Sequence, residues 1–143
     1  MSNPNIDLAV GYYEALNRRD FTFYDDVFTD DVVFEAVGGV SGAGRDTIKF
    51  FDRIWTTAFS DFTIVGDYHL GDGDRVVCHN RATGTHDGTL IMPDGSEVPA
   101  TGRRLDAPYF ASFAVRDGRL CHEHIYFDRM LLAEQLGLLP AHA

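Results

Sequence analysis

The chain has 143 residues, the length of one domain, and we expect a single domain over 1–143. Hydrophobic residues make up 45% and charged residues 24%, enough apolar side chain to pack a core without disulfide or metal staples. A net charge of −10 repels phosphate backbones and anionic lipid, so neither nucleic acid nor a membrane surface is an expected partner.

Met1-Ser2-Asn3-Pro4 lacks the basic and apolar regions of a secretory signal, and no apolar run approaches transmembrane length. Asn3-Pro4 reads as a helix start, cap then proline. Ile6, Val10, Tyr13 and Asn17 follow at helical spacing. A short second helix after Asp20 carries Phe21, Tyr24, Val27 and Phe28. Asp30 to Ala36 reads as a strand, and Gly38-Gly39 with Ser41-Gly42 as a turn. A third helix runs from Arg45 to Ala58 with Ile48, Phe51, Trp55 and Ala58 as its apolar stripe. The period then changes to alternation. Phe62–Leu70, Arg75–His86, Val98–Val115 and Leu120–Phe127 read as strands, separated by Gly71-Asp72-Gly73, Pro93-Asp94-Gly95 and Asp117-Gly118. A last helix starts at Asp128 and stops at Gly137, near Pro140. Cys78 and Cys121 sit inside strands and read as free thiols of a reducing cytoplasm. Helices grouped against a long, bent antiparallel meander make an α+β cone around a pocket.

Five segments occur in order along this pattern: Gly84-Thr85-His86-Asp87-Gly88, Pro99-Ala100-Thr101-Gly102-Arg103, Asp117-Gly118-Arg119-Leu120, Tyr126-Phe127-Asp128 and Gln135-Leu136-Gly137. Together they resemble the SnoaL-like polyketide cyclases of the nuclear transport factor 2-like superfamily. The resemblance implies the same cone. It also implies one of several functions: cofactor-free aldol cyclase, limonene-type epoxide hydrolase, ketosteroid isomerase or pure binding domain. The catalytic positions of two of these do not carry over. The cyclases' acid/base Asp, also the epoxide hydrolases' catalytic Asp, falls at Ile125. The cyclases' partner His falls at Ala111. The hydrolases' Arg-x-Asp resembles Arg81-Ala82-Thr83, with the Arg kept and the Asp lost.

Strand alternation nominates a lining. If Ile125 looks inward, so do Cys121, Glu123 and Phe127, with Tyr109, Ala111, Phe113 and Val115 on the strand before. Val77, His79, Arg81, Thr83 and Thr85 follow on the strand before that. Tyr13, Phe51, Trp55 and Phe34 complete an expected substrate-binding set with Tyr109, Phe113, Ile125 and Phe127. Glu123 is the remaining acid/base candidate, since burial raises a carboxyl's pKa; His79 and Arg81 are its expected catalytic companions. A Glu123–Arg81 ion pair at the cavity mouth is the structural alternative. Asp128 is read as a helix cap, His122 and His124 as outer-face residues rather than a metal pair, and His86 as orienting a loop.

Two classes of function stay open. One is a cofactor-independent, metal-free cyclase or isomerase acting by acid/base chemistry on a hydrophobic, carbonyl-bearing, polyketide-like molecule. The other is a ligand-binding domain without chemistry, and epoxide opening by a relocated carboxylate is a third reading. A broad outer sheet face with Cys78, His122, His124 and Tyr126 suggests a homodimer.

Overall fold

The structure, a computed structural model, describes residues 3–139. Helix α1 (Pro4–Asn17) begins as its sequence requires. The Asn3 side chain accepts from the amides of Asn5 (3.0 Å) and Ile6 (3.3 Å), a cap worth about 1 kcal/mol, and Pro4 fills the first turn. A 3-10 turn (Phe21–Phe23) leads into the one-turn helix α2 (Tyr24–Val27). Strand β1 (Phe28–Ala36) and strand β2 (Val40–Ala43) form a hairpin whose turn holds Gly38 (φ 89°) and Gly39 (φ 81°). Ser41-Gly42, expected in the turn, instead pairs as strand, with Gly42 opposite Phe34. Helix α3 (Arg45–Ala58) has the boundaries its apolar spacing predicts.

Four long strands follow: β3 (Thr63–Asp72), β4 (Arg75–Thr85), β7 (Arg104–Arg116) and β8 (Arg119–Phe127). The two-residue strands β5 (Leu90–Ile91) and β6 (Glu97–Val98) make a separate hairpin between β4 and β7. The expected single strand Val98–Val115 is therefore two pieces, broken between 99 and 103. Helix α4 (Arg129–Gln135) closes the chain, its first turn capped by the Asp128 carboxylate on the Leu131 amide (3.0 Å). Pro140, expected near its stop, lies outside the described residues.

The main sheet has the order β2-β1-β8-β7-β4-β3. It is not a pure antiparallel meander, because β8 lands beside β1 and runs parallel to it, Phe34 opposite Glu123. The sheet is curved and mixed. Its concave face packs on the helices, and one continuous apolar core fills the space between them. Alternation is clean on β7, where Leu105, Ala107, Tyr109, Ala111 and Phe113 are buried and their even neighbours to Phe110 are exposed. Among the described residues no helix is long and apolar enough to cross a membrane.

Candidate active site

Register decides which side chains meet. The two-residue Asp117-Gly118 turn, both residues at positive φ, pairs Arg116 with Arg119. An extra residue in β8 at Cys121 then shifts the pairing by one, and Phe113 faces Glu123, Ala111 faces Ile125 and Tyr109 faces Phe127. Glu123, Ile125 and Phe127 thus look inward as alternation predicts. Cys121 does not continue that face: the bulge turns Leu120 inward in its place, fully buried, while Cys121 is half-buried.

On β4 the expected parity is inverted. Val76 pairs with Phe113, Cys78 with Ala111 and Asn80 with Tyr109, so the even-numbered residues are interior. Directly opposed residues share a face, and here odd partners even. His79 and Arg81 accordingly project from the convex side. His79 lies between the rings of Tyr68 and Phe110, its Nδ1 3.2 Å from Asp67. Arg81 makes a two-pronged pair with Asp106 at 2.9 and 3.0 Å. Neither reaches Glu123, so the Glu123–Arg81 ion pair does not form. His122 and His124 share the Glu35 carboxylate on the same outer face, at 2.8 and 3.5 Å. Among the described residues no three candidate ligands gather as a metal site. His86 is buried, bonds Thr101 Oγ1 at 2.9 Å and packs on Phe59, holding the 99–103 segment to the end of α3.

The charged group that acts on Glu123 is instead Asp52. Alternation along the strands does not reach this residue, yet its signal is in the sequence: it is the one acidic residue on the stripe Ile48, Phe51, Asp52, Trp55, Ala58 of α3. Asp52 is 4% exposed. Its Oδ2 accepts 2.7 Å hydrogen bonds from both the Tyr12 and Tyr24 hydroxyls. Burial pushes its pKa up to about 7, against the pull of those two bonds. Glu123 is fully buried, and neither carboxyl oxygen has a hydrogen-bond partner among the described residues. Burial first, then the charge on Asp52, hold its pKa well above the carboxylate range, and the nearby Tyr12 hydroxyl, which gives its proton to Asp52, opposes this only in part. Burial thus favours the protonated form of both carboxyls, and of Glu123, which has no hydrogen-bond donor to offset it among the described residues, more than of Asp52.

The narrow end of the cone is filled with rings. Tyr12 packs on Tyr13, Tyr24 and Phe28 at centroid distances of 4.8 to 5.1 Å, and Phe113 and Phe34 are fully buried behind them. Tyr13, Phe34 and Phe113 therefore build the floor and do not line open space. The open cavity, about 50 Å³, is bounded by Phe51, Asp52, Trp55, Tyr109, Ile125 and Phe127 among others. Asp52 reaches it and Glu123 lies beneath. The Tyr109 hydroxyl, at the cavity wall, is 3.0 Å from that of Tyr13. Burial keeps both phenols protonated, raised well above their ordinary value. If Tyr13 donates to Tyr109, the Tyr109 proton is free for a ligand oxygen. A larger apolar groove of about 360 Å³ adjoins this cavity, and Phe51, Trp55, Phe127 and Leu132 belong to both.

The arrangement can be set beside known proteins. No curated protein is significantly similar to the chain. Solved structures with the same fold include a candidate SnoaL-like polyketide cyclase from Jannaschia sp. CCS1 (18% identity, 96% of this chain and 94% of that one, TM-score 0.84). TsrD from Streptomyces laurentii matches at 21% identity over 97% and 99% of the two chains, TM-score 0.82. IdmH, a candidate polyketide cyclase from Streptomyces antibioticus, matches at 27% identity over 93% and 98%, TM-score 0.78. The family model described as SnoaL-like polyketide cyclase matches residues 6–136. With nearly its whole length inside that match, the chain belongs to the SnoaL-like polyketide cyclase family.

Proposed function

We propose that this protein is a cofactor-independent acid/base catalyst that enolises a hydrophobic, carbonyl-bearing, polyketide-like molecule, as a cyclase or isomerase does. The observation that carries the reading is Asp52: a carboxylate at the wall of an apolar cavity, oriented by two tyrosines, with a pKa of about 7. A base poised near ambient pH is efficient in both directions of proton transfer. The Asp52 carboxylate takes the proton from a carbon next to a carbonyl. The C–H electron pair becomes the enolate double bond, and the charge on oxygen is met by the Tyr109 hydroxyl. In an unsaturated ketone the enolate is a dienolate, and return of the proton from Asp52 to its far carbon shifts the double bond, which is isomerisation; otherwise the enolate carbon attacks a second carbonyl, whose oxygen collects the proton from Asp52 as the ring closes. Glu123 stays neutral beneath and keeps a second negative charge out of the site. Support also comes from the family match and the 27% identity to IdmH.

The test is solvent-deuterium exchange at the acidic carbon of a hydrophobic 1,3-diketone, followed by NMR. We expect the protein to accelerate exchange and Asp52→Asn to cut the gain at least about 100-fold, the usual worth of a positioned base. Exchange no faster than buffer, or equal in Asp52→Asn, leaves a ligand-binding domain without chemistry. For the quaternary state we propose a homodimer of cytoplasmic copies joined through the convex sheet face, where Tyr68, Val77, Phe110 and Tyr126 are 39–53% exposed. Sedimentation should give twice 15.9 kDa, falling to one copy in Phe110→Asp.

A further inference from the structure

The inner cavity is too small for the molecule that the acid/base reading requires. At about 50 Å³ it has room for a few waters, whereas sites for ring-sized ligands run to about 300–1,000 Å³. The adjoining groove, at about 360 Å³, falls in that range. It lies between α3, the β1–β2 hairpin, the β5–β6 hairpin and α4, and Val40, Ile54, Leu90 and Met92 are among its apolar walls. Its one charged lining residue is Arg129. The guanidinium lies close to Gly38, where an added Cβ would sit 2.9 Å from a terminal nitrogen. Gly38 is at φ 89°, so the turn favours glycine, and the missing Cβ leaves room for the guanidinium. Arg129 makes no ion pair or side-chain hydrogen bond among the described residues, in a chain with 22 acidic residues to 12 basic.

An apolar groove with one unpaired cation and no lining carboxylate is complementary to a hydrophobic anion. The geometry points to this groove as the main seat of the ligand, and to the ligand as a hydrophobic ring acid whose carboxylate or acidic enol oxygen rests on Arg129. The body lies between α3 and the β5–β6 hairpin. One edge passes the shared side chains Trp55 and Phe127 into the inner cavity, toward Asp52. Only this last statement, about which edge reacts, rests on the acid/base reading; the anion contact stands on the groove alone.

Trp55 is the sole tryptophan and borders both chambers, so its fluorescence reports on either. The probe pair is 2-naphthoate and 2-naphthamide, equal in shape and different in charge. We expect naphthoate to quench Trp55 with an affinity about tenfold above the amide's, the worth of one charge-assisted contact. Arg129→Gln should bring the acid down to the amide's affinity and leave the amide unchanged, and Arg129→Lys should restore part of the preference. Equal affinities in the parent protein, or an acid preference that survives Arg129→Gln, overturns the proposal. Because the readout is binding, it is independent of the deuterium-exchange result: exchange can fail with the acid preference intact, and the reverse.

Discussion

Two opposed effects act on the Asp52 carboxyl, the base of the proposed reaction. Burial favours the neutral acid, and the hydroxyls of Tyr12 and Tyr24 favour the anion. Removing either donor should move the balance in a known direction. Tyr12→Phe and Tyr24→Phe should each raise the Asp52 pKa above about 7, by one to two units if each charge-assisted bond contributes roughly 1.5–3 kcal/mol. Carbon-13 titration of the Asp52 carboxyl checks this, and the acidic limb of exchange activity, set by deprotonation of the base, should shift upward with it. An unmoved pKa in both variants would mean that the two hydroxyls only pack. Tyr109→Phe is a different case. Its hydroxyl touches Tyr13, so its loss should lower exchange activity while the Asp52 titration stays in place.

Among the elements, α3 carries the site, and its far end is fixed by one glycine. The amides of Asp87 and Gly88 both bond the Ala58 carbonyl, at 3.1 and 2.9 Å, and a Cβ at Gly88 would run into the Thr57 carbonyl. That contact is backbone against backbone, so no rotamer change relieves it. Gly88→Ala should cost on the order of 3 kcal/mol, read as a lower urea midpoint, and should disturb Trp55 fluorescence because the last turn of α3 must move. Helix α3 also shows what local pattern can reveal: its bounds and its stripe follow from spacing, and Asp52 stands out as a charge on that stripe. The faces of the strands were legible only where a short turn fixes them. Asp117-Gly118 predicts the Arg116–Arg119 pair, yet alternation carried from that turn alone would set Ser112 opposite Glu123; the extra residue at Cys121 restores Phe113 to that place. Between β4 and β7 the connection spans residues 86–103, and no turn geometry sets the register across it. Alternation alone therefore does not fix the face of His79 and Arg81, which is the outer one, while Asn80 and Cys78 take the interior.

Across the whole molecule the carboxyl groups fall into two populations with opposite effects on stability. On the surface, Asp31 beside Arg116, Asp25 beside Lys49, Asp106 beside Arg81 and Glu35 beside His122 have lowered pKa values. Their contribution is present above the ordinary carboxylate range and is lost as pH falls through the lowered values. Inside, Asp52 and Glu123 are raised, so between the ordinary range and their raised values the native state binds more protons than the unfolded chain. Stability must fall as pH rises through that window, by at most about 1.4 kcal/mol per pH unit for each proton held only by the native state. The two trends meet near pH 5, where we expect the maximum. Glu123→Gln removes the more strongly raised of the pair and leaves Asp52 with a neutral neighbour. Its stability should decline less between pH 5 and pH 8 than the parent's, and the pKa of Asp52 should change little, because burial and the two tyrosines set that shift. Urea unfolding at pH 5, 6, 7 and 8 measures the slopes. Parallel curves for parent and variant would show that the buried glutamic acid does not hold its proton through neutral pH, and the single-charge description of the Asp52–Glu123 pair would go with it.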